Sequence, residues 1–223
     1  MKKTDSKNKR FTKSEEIANA ISHGIGLVLS IAATALIVMY AAKTGSPWHI
    51  TSASVFGATM ILLYTSSTLN HSLPHSGAKD FFHNFDQIAI YFLIAGTYTP
   101  LSLSIIGGKW GWVMFGIEWG FAFAGTLIKI VFPNRFERGV NKFIIVSYVI
   151  MGWLLLFFLI PIFNNMQPLS ITFIFAGGIF YSLGVVFFKM EKLLFSHLIW
   201  HLFVIAGTVF HWLAIFLHFK QLV

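Results

Sequence analysis

The sequence predicts an all-α membrane protein: a bundle of seven transmembrane helices, N-terminus cytoplasmic and C-terminus extracellular. Three observations carry that expectation. Of the 223 residues, 56% are hydrophobic and only 11% charged, against about 25% charged in an ordinary soluble domain. Mean hydropathy is +0.73, and so few charges cannot cover a soluble globule of this size. The apolar residues also fall into seven blocks of about 20 residues, the length that crosses a bilayer. Such a composition excludes a soluble enzyme, a disordered chain and a disulfide-stapled secreted domain. With no Cys in the chain, disulfides, thiolate zinc sites and iron–sulfur clusters are excluded too.

Residues 1–13 hold six Lys and Arg and read as a basic cytoplasmic tail; residues 14–223 read as one transmembrane domain. The first block, Ile17–Ala42, is longer than a signal-peptide core and opens on polar Glu16, Asn19 and His23. The run Thr12-Lys-Ser-Glu15 ahead of it has capping-box spacing, which starts the helix there. Lys43-Thr-Gly-Ser-Pro47 separates it from the second block, Trp48–Leu69, which ends before Pro74-His-Ser-Gly77. The third block is Asp86–Ile106, closed by Gly107-Gly108, and the fourth is Trp110–Phe132, closed by Pro133-Asn134. Phe143–Phe163 ends at Asn164-Asn165, Leu169–Phe188 follows Pro168, and Ser196–Phe219 is the seventh. Gly177-Gly178 in the sixth reads as a place of close helix packing rather than a broken transporter helix.

Orientation follows from the basic residues of the short connections. The tail, Lys79, Lys129, Arg135, Arg138, Lys142, Lys189 and Lys192 fall on one side, thirteen in all, while only Lys43, Lys109 and Lys220 fall on the other. The crowded side is the cytoplasmic one. A net charge of +8 distributed this way signals orientation in a membrane and leaves no basic stripe for nucleic acid.

Ionisable groups are costly in hydrocarbon, so their depth is informative. His71 closes the second block, Asp86 opens the third, and His197 and His201 open the seventh, all on the inner side together with Glu16, Asn19 and His23. On a helix His197 and His201 share one face, about 6 Å apart along the axis. Such a pair is how one helix offers two imidazoles to a metal ion. A third imidazole can come from His71, with Ser67 one turn before it, or from His83, three residues before Asp86. Spacing favours His71 only narrowly. Three neutral His ligands leave one tetrahedral position for water, the arrangement of a catalytic zinc site. Asp86 is the carboxylate placed to accept or shuttle its proton.

Other polar residues have plainer readings. His49, His75 and His218 fit the interface, hydrogen-bonded to water or headgroups. His211 lies about 15 Å deeper than His201 and fits a hydrogen bond inside the bundle. Glu16, Asn19 and His23 form one stripe; hydrogen bonds that pack the first helix are the first reading, and support of the site from behind is the second. Glu118 is isolated in the fourth block, either hydrogen-bonded or lining a proton path.

The segments Glu15-Glu-Ile-Ala-Asn19…His23-Gly-Ile-Gly26, Asn70-His-Ser-Leu-Pro-His75, Phe85-Asp86 through Ile94-Ala-Gly-Thr-Tyr-Thr-Pro100, and His197-Leu-Ile-Trp-His201…Gly207 resemble the bacterial hemolysin III family, part of the progestin and adipoQ receptor superfamily. The resemblance covers essentially the whole chain, in four motifs in order. It implies a multi-pass protein of the bacterial plasma membrane with zinc near the cytoplasmic side. By motif it assigns the zinc to His71, His197 and His201, the zinc-bound water to Asp86, and a neighbouring role to Ser67. His71 is thereby chosen over His83. It also implies ceramidase-like hydrolysis of a lipid amide or ester, with membrane lipids as partners and substrate. The alternatives are a cytolytic, membrane-perturbing protein, and a receptor or transporter with structural zinc. Gln87 stands where many members carry an aromatic residue or His, and no large domain is present for a hormone.

Overall fold

The protein is described from a computed structural model, covering residues 11–74, 76–131, 142–190 and 192–223. His75, Pro133, Asn134, Arg135, Arg138 and residues 1–10 of the basic tail lie outside the described residues. Seven helices within them are long and apolar enough to cross a membrane.

Capping chemistry, rather than hydropathy, sets several boundaries. α1 spans Lys13–Lys43, so Lys13 belongs to the helix and not to the tail. The Glu15 amide donates to Thr12 Oγ1 (3.3 Å) and the Thr12 amide to Glu15 Oε2 (2.9 Å), the reciprocal capping box the sequence predicts. α2 spans Pro47–Ser72, with Pro47 in the first turn, where a missing N–H is harmless. α3 (Gly77–Pro100) starts well before Asp86, because Ser76 Oγ accepts the Lys79 amide at 3.4 Å and caps it. Its opening turns are too polar to register as an apolar block. Beyond Pro100, which cannot donate to the helix ladder, the chain continues as a π-helical stretch, Leu101–Ile106. Gly107, at φ 63°, closes it before α4 (Gly108–Val131).

The fifth span differs from the continuous helix expected over Phe143–Phe163. α5 (Lys142–Gly152) gives way to a 3-10 turn, Leu154–Phe158, and then to α6 (Leu159–Asn165). Pro161 removes one amide and crowds the Phe157 carbonyl one turn back. The Tyr98 hydroxyl of α3 fills the break, donating to the Gly152 carbonyl at 2.8 Å and accepting the Leu155 amide at 3.1 Å. α7 (Pro168–Lys189) and α8 (Ser196–Gln221) complete the chain.

α1 packs on α2 and α8, α2 on α3, α3 on α4 and α5, and α7 on α8 and α5. Phe56, Met60, Leu63, Leu93, Val204 and Ile215 are among the side chains buried between them. Where α7 crosses α8, a Cβ on Gly177 would stand 2.2 Å from the His211 ring, so only glycine permits this approach. The outward faces are apolar: Phe157 is 82% exposed and Ile160 76%. In water these faces would drive association; in a bilayer they are solvated by lipid. α2 runs antiparallel to both α1 and α8, which brings Glu16, His71 and His197 to one end of the bundle.

Candidate metal centre

Three imidazoles meet at that end. His71 from the last turn of α2 and His197 and His201 from the first turns of α8 each offer a ligand nitrogen, all within 4.8 Å of one another. His71 and His201 are buried. Each is held from behind in a way that fixes its tautomer. His71 Nδ1 lies 2.6 Å from Glu16 Oε2, and a carboxylate can only accept, so the proton sits on Nδ1 and the Nε2 lone pair is free. His71 Nε2 is buried with no hydrogen-bond partner among the described residues. On His201, Nδ1 lies 3.0 Å from Ser22 Oγ, whose own proton goes to the Asn19 carbonyl at 2.8 Å. Ser22 therefore accepts from Nδ1, again leaving Nε2 as the lone-pair nitrogen. Two imidazoles held at Nδ1 from behind, a third beside them and an unsatisfied buried nitrogen suit a divalent cation.

Glu16 is anchored in turn. Lys79 Nζ donates to its Oε1 at 2.9 Å, and also to the Asn70 carbonyl at 2.8 Å. Among the described residues, the side-chain nitrogens and oxygens of Asn19 and His23 are buried without hydrogen-bond partners. Within the stripe, Glu16 both packs α1 by hydrogen bonds to α2 and α3 and stands behind the site, while His23 stacks on the His201 ring at 3.5 Å between centroids.

A cavity of about 50 Å³ adjoins the cluster, and Ser67, Asp86, His83 and Gln87 line it with the three His. Asp86 Oδ2 accepts from Asn70 Nδ2 at 3.3 Å. Ser67 Oγ is buried without a hydrogen-bond partner among the described residues. The five residues singled out in the sequence thus share one cavity. His83, the competing third ligand, instead has its Nε2 3.1 Å from Gln87 Nε2.

Several supporting residues had no sequence signal. Ser22 and Lys79 act through hydrogen bonds that only the fold creates. Lys129, assigned to a cytoplasmic connection, is buried within α4 and donates to Gln87 Oε1. Gln87 is further held by the Tyr148 hydroxyl, which donates to its carbonyl at 2.7 Å. Elsewhere, His211 makes the expected internal bond, to the Ile174 carbonyl at 3.0 Å. His218, expected at the interface, is buried against Phe219. His49 is partly exposed, with Nδ1 2.8 Å from Thr44 Oγ1. Glu118 is fully buried, and neither of its oxygens has a hydrogen-bond partner among the described residues.

Residues 11–212 match the family described as Haemolysin-III related. The chain is 44% identical over 198 residues to a Hemolysin-3 homolog of Bacillus subtilis (strain 168), covering 89% of this chain and 91% of the relative. It is 44% identical over 199 residues to Hemolysin-3 of Bacillus cereus, covering 89% of each. Against the monocyte to macrophage differentiation factor of Homo sapiens it is 30% identical over 210 residues, covering 90% and 83%.

Proposed function

This chain belongs to the haemolysin III family, and we propose that it is a zinc-dependent membrane hydrolase acting on a lipid amide or ester. The observation that carries the reading is the adjacency of two cavities. Leu63, Ile90, Trp200 and Val204 line both the histidine cavity and an apolar chamber of about 90 Å³ deeper in the bundle. Val149, Trp153 and Val185 also border that chamber. An acyl chain lying there would bring its carbonyl to the polar end, where Ser67, Asp86 and the three His converge.

His71, His197 and His201 would hold the zinc. Bound by three imidazoles, zinc supplies Lewis acidity and an acidified water at neutral pH. The chain's own groups do the rest. Asp86, oriented by Asn70, accepts the proton of the attacking water and returns it to the leaving amine or alcohol. The Ser67 hydroxyl donates a hydrogen bond to the carbonyl oxygen as charge develops there. Apolar walls exclude competing water. The basic bias of the connections supports a cytoplasmic N-terminus and metal centre.

Metal analysis of detergent-purified protein tests the first half: one zinc per chain in wild type, lost in His71→Ala and His197→Ala. A panel of lipid amides and esters tests the second, with Asp86→Asn expected to keep zinc and lose turnover. Wild type that holds zinc yet cleaves nothing in a broad panel would sink the hydrolase reading. The names of the Bacillus relatives favour a second reading, cytolysis. Red-cell lysis that persists in His71→Ala and His197→Ala would support that reading over hydrolysis.

A further inference from the structure

The histidine cavity has a neighbour on its outer side. A basin of about 370 Å³ is lined by Phe11, Glu15, Phe188, Lys192, Ser196 and His197, among others. It lies at the end of the bundle where α1 and α8 begin and α7 ends. Three of these residues, Phe11, Phe188 and His197, also line the histidine cavity. Among the described residues, the wall between the two spaces is therefore made of two phenyl rings and one candidate ligand. The Phe11 and His197 ring centroids are 4.8 Å apart, and those of Phe188 and His197 are 5.7 Å apart. Phe11 also reaches the ring of His71, at 5.9 Å.

One hydrogen bond joins the elements beside this wall. Glu15, whose Oε2 closes the capping box of α1, uses Oε1 to accept the Phe195 amide at 3.0 Å. Phe195 precedes α8 with φ 57° and ψ 19°, a left-handed conformation that non-glycine residues adopt only under constraint. The bond ties the start of α1, four residues after Phe11, to the start of α8, two residues before His197. The two sides differ in character: the basin carries Lys192, Glu15 and Ser196, whereas the deeper chamber beyond the His is apolar.

We propose that this basin is the aqueous port of the histidine cavity, through which a divalent cation and water reach His71, His197 and His201, and that Phe11 is the residue that controls passage. The zinc part of this statement rests on the metal reading above; the port does not. Phe11 precedes the helix cap and lies outside the buried core, so its replacement leaves Thr12, Glu15 and the bundle in place.

Two measurements test the port in full-length protein. The first is the rate at which zinc is lost to excess EDTA. Phe11→Ala is expected to release it about tenfold faster than wild type, since its ring contacts with His71 and His197 are lost. Phe188→Ala, made at a different element, is expected to move the rate the same way. The second needs no metal: carbethoxylation of His197 by diethyl pyrocarbonate, resolved by peptide mass, with His211 as internal reference. His197 is expected to react several-fold faster in Phe11→Ala, with His211 unchanged. Wild-type rates in both variants by either measurement, with unaltered melting temperature, overturn the port. Protein that binds no zinc but shows the His197 acceleration keeps the port and removes the metal reading.

Discussion

Glu16 Oε2 stands 2.6 Å from His71 Nδ1, joining the first turns of α1 to the last turn of α2. A carboxylate behind an imidazole fixes the ring and raises the basicity of the opposite nitrogen. Lys79, at 2.9 Å from the other oxygen, holds the carboxylate in turn. Three consecutive helices thus set one ligand.

Glu16→Ala is expected to weaken zinc binding by about 10- to 100-fold, the usual effect of removing such a partner. Glu16→Gln keeps an acceptor oxygen without the charge and should fall between Ala and wild type. Competition against a chromogenic chelator measures both. Equal affinity in all three proteins would mean that the carboxylate does not act through His71.

Ser22 supports His201 by a neutral hydrogen bond, which is weaker than the charge-assisted bond from Glu16. Ser22→Ala should therefore weaken zinc binding less than Glu16→Ala does. The same competition assay ranks the two. A larger loss for Ser22→Ala would make the support of His201, rather than that of His71, the greater contribution to the site.

The seven spans and the convergence of His71, Asp86, His197 and His201 were legible because both are written in the chain at short range. Hydropathy marks the spans, and alternating helix direction gives each polar residue a depth. Of what supports those residues, only Glu16 was legible, as a second reading of the α1 stripe. Ser22 and Lys79 look like ordinary helix and loop polarity until folding brings Ser22 against His201 and Lys79 against Glu16. Lys129 shows the reverse limit: a lysine near a helix end reads as an interfacial anchor, yet the packing of α4 on α3 buries it against Gln87. The break in the fifth span was hidden for a similar reason. Pro161 marks a weak ladder, but the group that stabilises the open turn, the Tyr98 hydroxyl, belongs to another helix.

Tyr98→Phe tests that break. The substitution deletes one hydroxyl and strips partners from the Gly152 carbonyl and the Leu155 amide at once. Buried backbone groups left unpaired cost about 1–3 kcal/mol, and lipid offers no replacement. A lower melting temperature with unchanged zinc content is the expected result. Loss of zinc as well would mean that the fifth span and the metal centre are coupled.

Gly177→Ala tests the crossing of α7 and α8. The new methyl would meet His211 Cδ2 at 2.2 Å and Nε2 at 2.5 Å, and the Gly207 carbonyl at 3.0 Å. Overpacking of this kind costs about 1–3 kcal/mol. His211→Ala alone loses the bond to the Ile174 carbonyl. In the double variant the ring clash disappears while the backbone contact at Gly207 remains, so the two losses should sum to less than their separate values without full recovery. Thermal melts of the four proteins in one detergent measure this coupling. Strict additivity would show that α7 can shift away from α8 at little cost, and that the close approach at Gly177 is not what sets their packing.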